Sequence, residues 1–258
     1  LDIHVKHDVP VNNDNNVNLA GAGGWSSSVT LFLKRYDRPP WRVQWNRITR
    51  QGLSHATAWW EWRQIERLFG AGIPVPEPVA IGEEMRSWWL ERRSFLALAA
   101  APGVSLEAWA GRQRQGVDPA VGVAARHRLA RAVGDLAGRL HRAGFCHRDL
   151  YLCHLFADRI EMADGPVLTL IDLQRVFRPA WWRRRRWFVK DLAALAYSAP
   201  LELFGATDRM RCYRAYLGWR GRGRCPKSLA RAVLAKAAAI GAHDARRRRR
   251  LGMASAGV

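Results

Sequence analysis

His147, Arg148 and Asp149 follow one another directly after a long helical pattern, and Asp172 comes 23 residues later, at the end of the apolar run 167–171. Two carboxylates beside segments that can fix their backbones suit phosphoryl transfer. That reaction asks a protein for a carboxylate to orient and deprotonate the attacking hydroxyl, for metal ligands, and for a cation on the nucleotide phosphates. Asp149 fits the first role and Asp172 the second. His154, five residues after Asp149, stands where loops of this chemistry carry a metal-binding Asn. Lys34 closes the apolar run 29–33 and fits the third role, and Glu61 in the next helical pattern can pair with it. A His-Arg-Asp triplet alone arises easily in an arginine-rich chain. The order is what carries weight: strand Lys, helix Glu, proline-glycine boundary, long helix, His-Arg-Asp, hairpin, strand Asp.

Hydrophobic periodicity supplies the elements that must hold these groups. The spacing predicts a strand over 29–34, broken by Arg38-Pro39-Pro40, and a helix over 57–69 with Ala58, Trp62, Ile65 and Leu68 at helical intervals. Gly70 and Gly72 can end that helix, and 73–78 reads as an extended connector. Short strands are expected at 79–81, 88–90 and 95–98, and Pro102-Gly103 marks a boundary. Helices are expected over 106–113, 124–143, 191–197, 208–219 and 228–240, with strands at 155–156 and 167–173. Residues 1–28, polar and glycine-rich, read as a flexible N-terminal segment or a badly formed edge. The expected organisation is therefore that segment, a strand-rich lobe over 29–101 and a helical lobe over 102–258, an α+β fold.

The 258 residues carry 42 Lys+Arg against 22 Asp+Glu, a formal +20, and only five of the basic residues are lysine. Arginine therefore supplies the charge, and its planar fork suits phosphate and carboxylate. An anionic partner is implied. Cys146, Cys153, Cys212 and Cys225 show no metal-ligand spacing and read as reduced, buried thiols. No run of 18 apolar residues occurs, and the N-terminus lacks a basic-then-apolar signal pattern, so a cytoplasmic protein is expected. His4, His7, His55, His127, His141 and His243 show no metal spacing, and Trp59, Trp60 and Trp62 read as core.

Several stretches carry a likeness. They are Leu31-Phe32-Leu33-Lys34-Arg35-Tyr36, the Gly72-Ile73-Pro74-Val75-Pro76 connector, and the loop from Gly144 through Asp149-Leu150-Tyr151-Leu152-Cys153-His154 to Phe156. Leu170-Ile171-Asp172-Leu173-Gln174-Arg175 and Lys190-Asp191-Leu192-Ala193-Ala194-Leu195 continue it. Over about 31–198 the chain resembles the lipopolysaccharide core kinase family, the Kdo/WaaP group of protein-kinase-like enzymes. The Asp-x-Tyr-x-x-His loop is the diagnostic part, because ordinary protein kinases carry Lys-Pro-x-x-Asn there.

The resemblance implies a bilobal protein-kinase-like fold and an ATP- and Mg-dependent kinase. Its acceptor would be a sugar hydroxyl of the lipopolysaccharide inner core, typically heptose, at the cytoplasmic face of the inner membrane. A Kdo kinase, or a catalytically weak relative binding anionic lipid or nucleic acid, is the alternative. Asp149 would be the base, Asp172 the Mg ligand and His154 the second metal-side residue. Lys34 would bind phosphate with Glu61 as its partner. Asp191 would brace the loop together with His147, and backbone groups near Ala99 would meet the adenine. Partners implied are a lipid A-core acceptor, an anionic membrane surface and an acidic protein. Nucleic acid is disfavoured, since the arginines gather near a carboxylate-bearing loop and not on a stacking platform.

Two departures stand out. No strand pair with a glycine-rich loop precedes Lys34, and residues 21–24 lie close to it for that job. Only 18 residues separate Asp172 from Asp191, which favours a glycan over a docked peptide. Arg175, Arg178, Arg183, Arg184, Arg185 and Arg186, interleaved with Trp181, Trp182 and Trp187, are expected either to grip acceptor phosphate and carboxylate or to form a solvated basic loop. Residues 246–250 are expected to be a basic tail.

Overall fold

The computed structural model describes residues 2–5, 16–18, 30–219 and 226–251. Two compact units divide the chain, Leu1–Ala101 and Pro102–Val258.

The first unit is built on an antiparallel sheet of five strands in the order β1-β4-β5-β3-β2. Its centre is β3 (Thr30–Asp37), β4 (Pro78–Ser87) and β5 (Leu90–Ala99), with β1 (Asp2–Val5) and β2 (Asn16–Asn18) as the two edges. Both edge strands come from the stretch expected to be flexible, and the 21–24 glycines lie outside the described residues. β3 continues past Lys34 to Asp37, so the lysine is mid-strand, paired with Leu96, and Tyr36 shares its face two residues on. The expected strands 79–81 and 95–98 are pieces of the long β4–β5 hairpin. The expected strand 88–90 is instead its tip, because Ser87 pairs with Leu90 and leaves Trp88 and Trp89 as the turn. Gly82 is required opposite Phe95, since a Cβ there would sit 2.2 Å from the ring.

Helix α1 (Trp41–Gln51) was not expected, and its polarity explains why. Its inward residues are Gln44 and Arg47, both buried, while Trp41, Val43 and Trp45 face solvent. The apolar pattern is inverted. Gln44 donates to the Glu91 carbonyl at 2.6 Å, and Arg47 donates to the carbonyls of His55, at 2.6 Å, and Trp89. Helix α2 (Thr57–Gly70) follows, burying Ala58, Glu61, Gln64, Ile65 and Leu68. It ends where Gly72 adopts φ +70° and the Ile73 amide donates back to the Leu68 carbonyl. Trp59, Trp60 and Trp62 are half-buried and not core; Trp59 stacks on His55.

The second unit is mainly helical. Ser105 caps α3 (Leu106–Gln115) by accepting the Ala108 amide. In α4 (Val123–Arg142) the residues Leu129, Val133, Leu136 and Leu140 are buried as one stripe. α4 packs on α6 (Ala206–Gly218), where Gly134 lets the backbones close in: a Cβ would lie 2.1 Å from the Cys212 carbonyl oxygen. A three-stranded sheet, β6 (Val104–Ser105), β7 (Leu155–Asp158) and β8 (Val167–Leu170), carries the loops of interest.

Two helices are longer than their apolar periodicity. α5 (Arg184–Ser198) starts seven residues before the expected 191, and α7 (Lys227–Arg250) runs ten past the expected 240, so the basic tail is helical. Arginine is a good helix former, and the backbone continues after the apolar pattern stops. Asp244 secures the last turns through Tyr197 at 2.8 Å and Arg248 at 3.0 Å. Among the described residues no helix is long and apolar enough to cross a membrane.

Candidate active site

In the second unit the loop after α4 is fixed backbone first. Cys146 and Phe177 exchange both backbone hydrogen bonds, at 2.9 and 3.1 Å, tying this loop to the segment beyond Asp172. Arg148 adopts φ +77°, a region that non-glycine residues enter only when their surroundings compel it. Asp191 of α5 supplies the compulsion. Its carboxylate, fully buried, accepts the amides of His147 and Arg148, each at 2.8 Å. His141 Nε2 lies 3.2 Å from the same carboxylate, and its Nδ1 lies 3.1 Å from the buried Tyr216 hydroxyl. A buried charge persists only with such partners. The Arg148 guanidinium lies over Phe177 and Trp187.

His147 donates from Nε2 to the Ile171 carbonyl at 2.9 Å, which links the loop to the residue before Asp172. Burial pulls its pKa below the ordinary value of 6.5, with the Ile171 bond and Asp191 opposing, so the ring is neutral and its Nδ1 carries a lone pair. Burial also pushes the Cys146 thiol up, and that of Cys212 up to about 12, so both are inert. Cys225 lies outside the described residues.

Asp149 sits between two cations. Arg175 Nη1 approaches Oδ2 at 2.6 Å, and Lys190 Nζ lies 3.5 Å from Oδ1 while donating to the Arg148 carbonyl at 2.5 Å. Lys190 was not singled out from sequence, although it adjoins Asp191 in a quoted motif. Arg175, expected among the acceptor-binding arginines, contacts Asp149.

His154 and Asp172 meet. Nδ1 of His154 lies 2.7 Å from the Asp149 carbonyl, which can only accept, so Nδ1 carries the hydrogen. Nε2 faces Asp172, whose Oδ2 is 3.6 Å away. A ring nitrogen beside a carboxylate oxygen is a pair of ligand types that a divalent cation can take. Asp172 itself is in the left-handed region, φ +58°, at the start of a 3-10 turn over Leu173–Arg175. The donor set therefore fits a metal ion held mainly by the Asp172 carboxylate.

The remaining arginines scatter. Arg178 lies over the Phe145 ring at 4.3 Å. Arg183 closes the 3-10 turn Trp181–Arg183, and Arg184, Arg185 and Arg186 form the first turn of α5, all exposed. They are helical, which departs from the solvated basic loop, one of the two readings of this run. No acidic residue occupies that turn, so four arginines gather where the helix dipole is already positive.

In the first unit, Lys34 Nζ contacts Glu61 Oε1 at 2.6 Å, and the Tyr36 hydroxyl donates to Glu61 Oε2 at 3.1 Å. Glu61 is buried and Lys34 half-exposed. The Ala99 amide is already donated to the Glu77 carbonyl, and that of Ala100 to Thr30. An adenine contact at Ala99 would thus fall to carbonyls or to the amide of Ala101.

Comparison with known proteins places the chain as a whole. The lipopolysaccharide kinase (Kdo/WaaP) family model matches residues 18–216. The lipopolysaccharide core heptose(I) kinase WaaP of Pseudomonas aeruginosa is 36% identical over 159 residues, covering 60% of this chain and 58% of the relative. The protein of the same name from Escherichia coli K12 is 30% identical over 161 residues, covering 61% and 59%. The matched part of the chain thus spans a little under three fifths of the length of these curated relatives. The solved structure of WaaP in complex with acyl carrier protein superposes with a TM-score of 0.59 at 28% identity, covering 90% of this chain and 88% of that one.

Proposed function

The chain belongs to the lipopolysaccharide kinase (Kdo/WaaP) family, and on that premise we propose that it transfers the γ-phosphoryl group of ATP, with Mg2+, to a sugar hydroxyl of the lipopolysaccharide inner core. Heptose is the acceptor that the names of its relatives favour. The observation that carries the reading is the Asp149 carboxylate, presented by a loop that the buried Asp191 locks through two amides.

Asp149 accepts the proton of the attacking hydroxyl and aims its oxygen. Asp172 would hold Mg2+, with His154 beside it; the ion, when bound, neutralises charge on the phosphates. Lys34, steadied by Glu61 and Tyr36, binds phosphate oxygens. Lys190 fixes the loop by bonding the Arg148 carbonyl. The exposed arginines 183–186 suit an acceptor that carries phosphate and carboxylate groups.

A +20 chain with this acceptor works at the cytoplasmic face of the inner membrane, as a peripheral protein. Its charge also suits an acidic protein partner, and the similar solved structure holds acyl carrier protein.

The test is Mg-dependent turnover of ATP with a heptose-bearing core acceptor. Asp149→Ala should melt like the native protein and lose roughly 10²–10⁴ in rate. A folded Asp149→Ala protein with native turnover removes the assignment.

A further inference from the structure

The outward face of α1 is the strongest feature of the molecule that the phosphoryl-transfer reading leaves unused. Trp41 is 58% exposed, Trp45 56% and Trp88, at the β4–β5 tip, 71%. Trp41 and Trp45 adjoin one another, and Trp88 shares the two-residue turn with Trp89, which Trp41 meets. Trp41 lies 6.1 Å from Trp45 and meets Trp89, the neighbour of Trp88, edge-on at 5.9 Å. Val43, also exposed, lies among them in the sequence of α1. Contiguous exposed aromatic surface of this kind is uncommon on a protein that has nothing to cover it.

The exposure is not a failure of packing. α1 is fastened by its opposite face: Gln44 bonds the carbonyl and amide of Glu91, and Arg47 bonds two carbonyls while its Nε lies 3.5 Å from the Glu91 carboxylate. Buried hydrogen bonds hold the helix with its tryptophans turned out. Among the described residues no side chain or carbonyl accepts from the indole N–H of Trp41, Trp45 or Trp88, which leaves those donors to whatever lies outside.

Charge says what that is. Arg38, Arg42 and Arg86, next to these tryptophans in sequence, are exposed, and residues 38–50 and 85–90 contain no Asp or Glu. The flanking acids are occupied, Asp37 by Arg35, Glu84 by Arg92 and Arg93, and Glu91 by burial. We propose that α1 and the β4–β5 tip form a docking surface for an anionic phospholipid bilayer, with the indoles at headgroup depth and the arginines on lipid phosphates. Indoles favour that zone because they are flat, apolar and carry one donor. Helices with an aromatic face and basic flanks bind it in plane. The surface stands or falls without reference to the reaction, since it uses none of the residues assigned to phosphoryl transfer.

The test is co-sedimentation of the whole protein, without nucleotide, with vesicles of phosphatidylglycerol and phosphatidylethanolamine, and separately of phosphatidylcholine. The anionic vesicles should bind, and neutral ones should bind at least roughly tenfold more weakly. The triple variant Trp41→Ser, Trp45→Ser, Trp88→Ser should keep its melting temperature and lose about tenfold or more in partition. Arg42→Glu with Arg86→Glu should lose a similar factor and flatten the salt dependence. Brominated phosphatidylglycerol should quench native fluorescence more strongly than that of the triple variant. Undiminished binding in the triple variant overturns the proposal. So does loss that follows Trp181→Ser with Trp182→Ser instead, or a native protein that ignores anionic vesicles and binds an acidic protein through α1.

Discussion

Arg175 Nη1 lies 2.6 Å from Oδ2 of Asp149, so an arginine from the segment after Asp172 covers the carboxylate presented by the loop. The arginine is about half exposed, and an ion pair open to water is worth only about 0–1 kcal/mol. It can therefore be exchanged. On the proposed reaction, an acceptor that brings its own phosphate or carboxylate would compete for the same guanidinium and open the contact to Asp149.

Arg175→Gln follows from this. The variant should raise the acceptor KM by about tenfold, the worth of one lost charged hydrogen bond. It should also raise acceptor-independent ATP hydrolysis a few-fold, because the uncovered carboxylate can activate water. Steady-state kinetics with and without acceptor separate the two effects. A variant that loses kcat with KM and background hydrolysis unchanged would show Arg175 acting on the phosphoryl group and not as a cover.

Asp191 supports a prediction about stability. Asp191→Ala leaves the amides of His147 and Arg148 and the ring of His141 without their buried partner. The loss should be about 3–5 kcal/mol, as for removal of one member of a buried charged network. Asp191→Asn keeps the shape and one acceptor, and should lose less than half as much. Urea unfolding curves measure both. Equal stability of Asp191→Ala and the native protein would mean the loop is held by other contacts, chiefly the Cys146–Phe177 bridge.

What could be read from sequence divides along physical lines. Asp149 and Asp172 were legible because each sits in a short motif at the end of an apolar element, where local pattern and position coincide; Asp191, inside α5, was named only through the family resemblance. The Lys34–Glu61 contact was legible for the same reason, as strand followed by helix. α1 was not, because a helix whose buried positions are Gln44 and Arg47 shows no apolar stripe on the side that packs. The start of α5 was hidden by a run of arginines that composition reads as loop. Trp88 and Trp89 looked like strand because they are apolar, whereas the register of β4 on β5 makes them the turn. The engagement of Asp149 by Arg175 and Lys190 depends on how three segments meet, and no spacing encodes it.

His147 carries the last prediction. Its folded pKa lies below 6.5, driven by burial, so folding favours the neutral ring. At about pH 7.5 and above the ring is essentially neutral in folded and unfolded chains alike, and its contribution is complete. As the pH falls below that, the unfolded chain takes up the proton first, and stability is lost until the pH has passed below the folded value. The melting temperature of the native protein should therefore drop between about pH 7.5 and about pH 5.5. Carboxylates add their own slope at the acid end, so the comparison that matters is with His147→Gln, whose amide can still donate to the Ile171 carbonyl but cannot titrate. His147→Gln should melt lower at pH 7.5 and show a shallower fall towards pH 5.5. Parallel curves for the two proteins would mean that the imidazole does not titrate with unfolding, and that the hold on Ile171 is independent of its protonation.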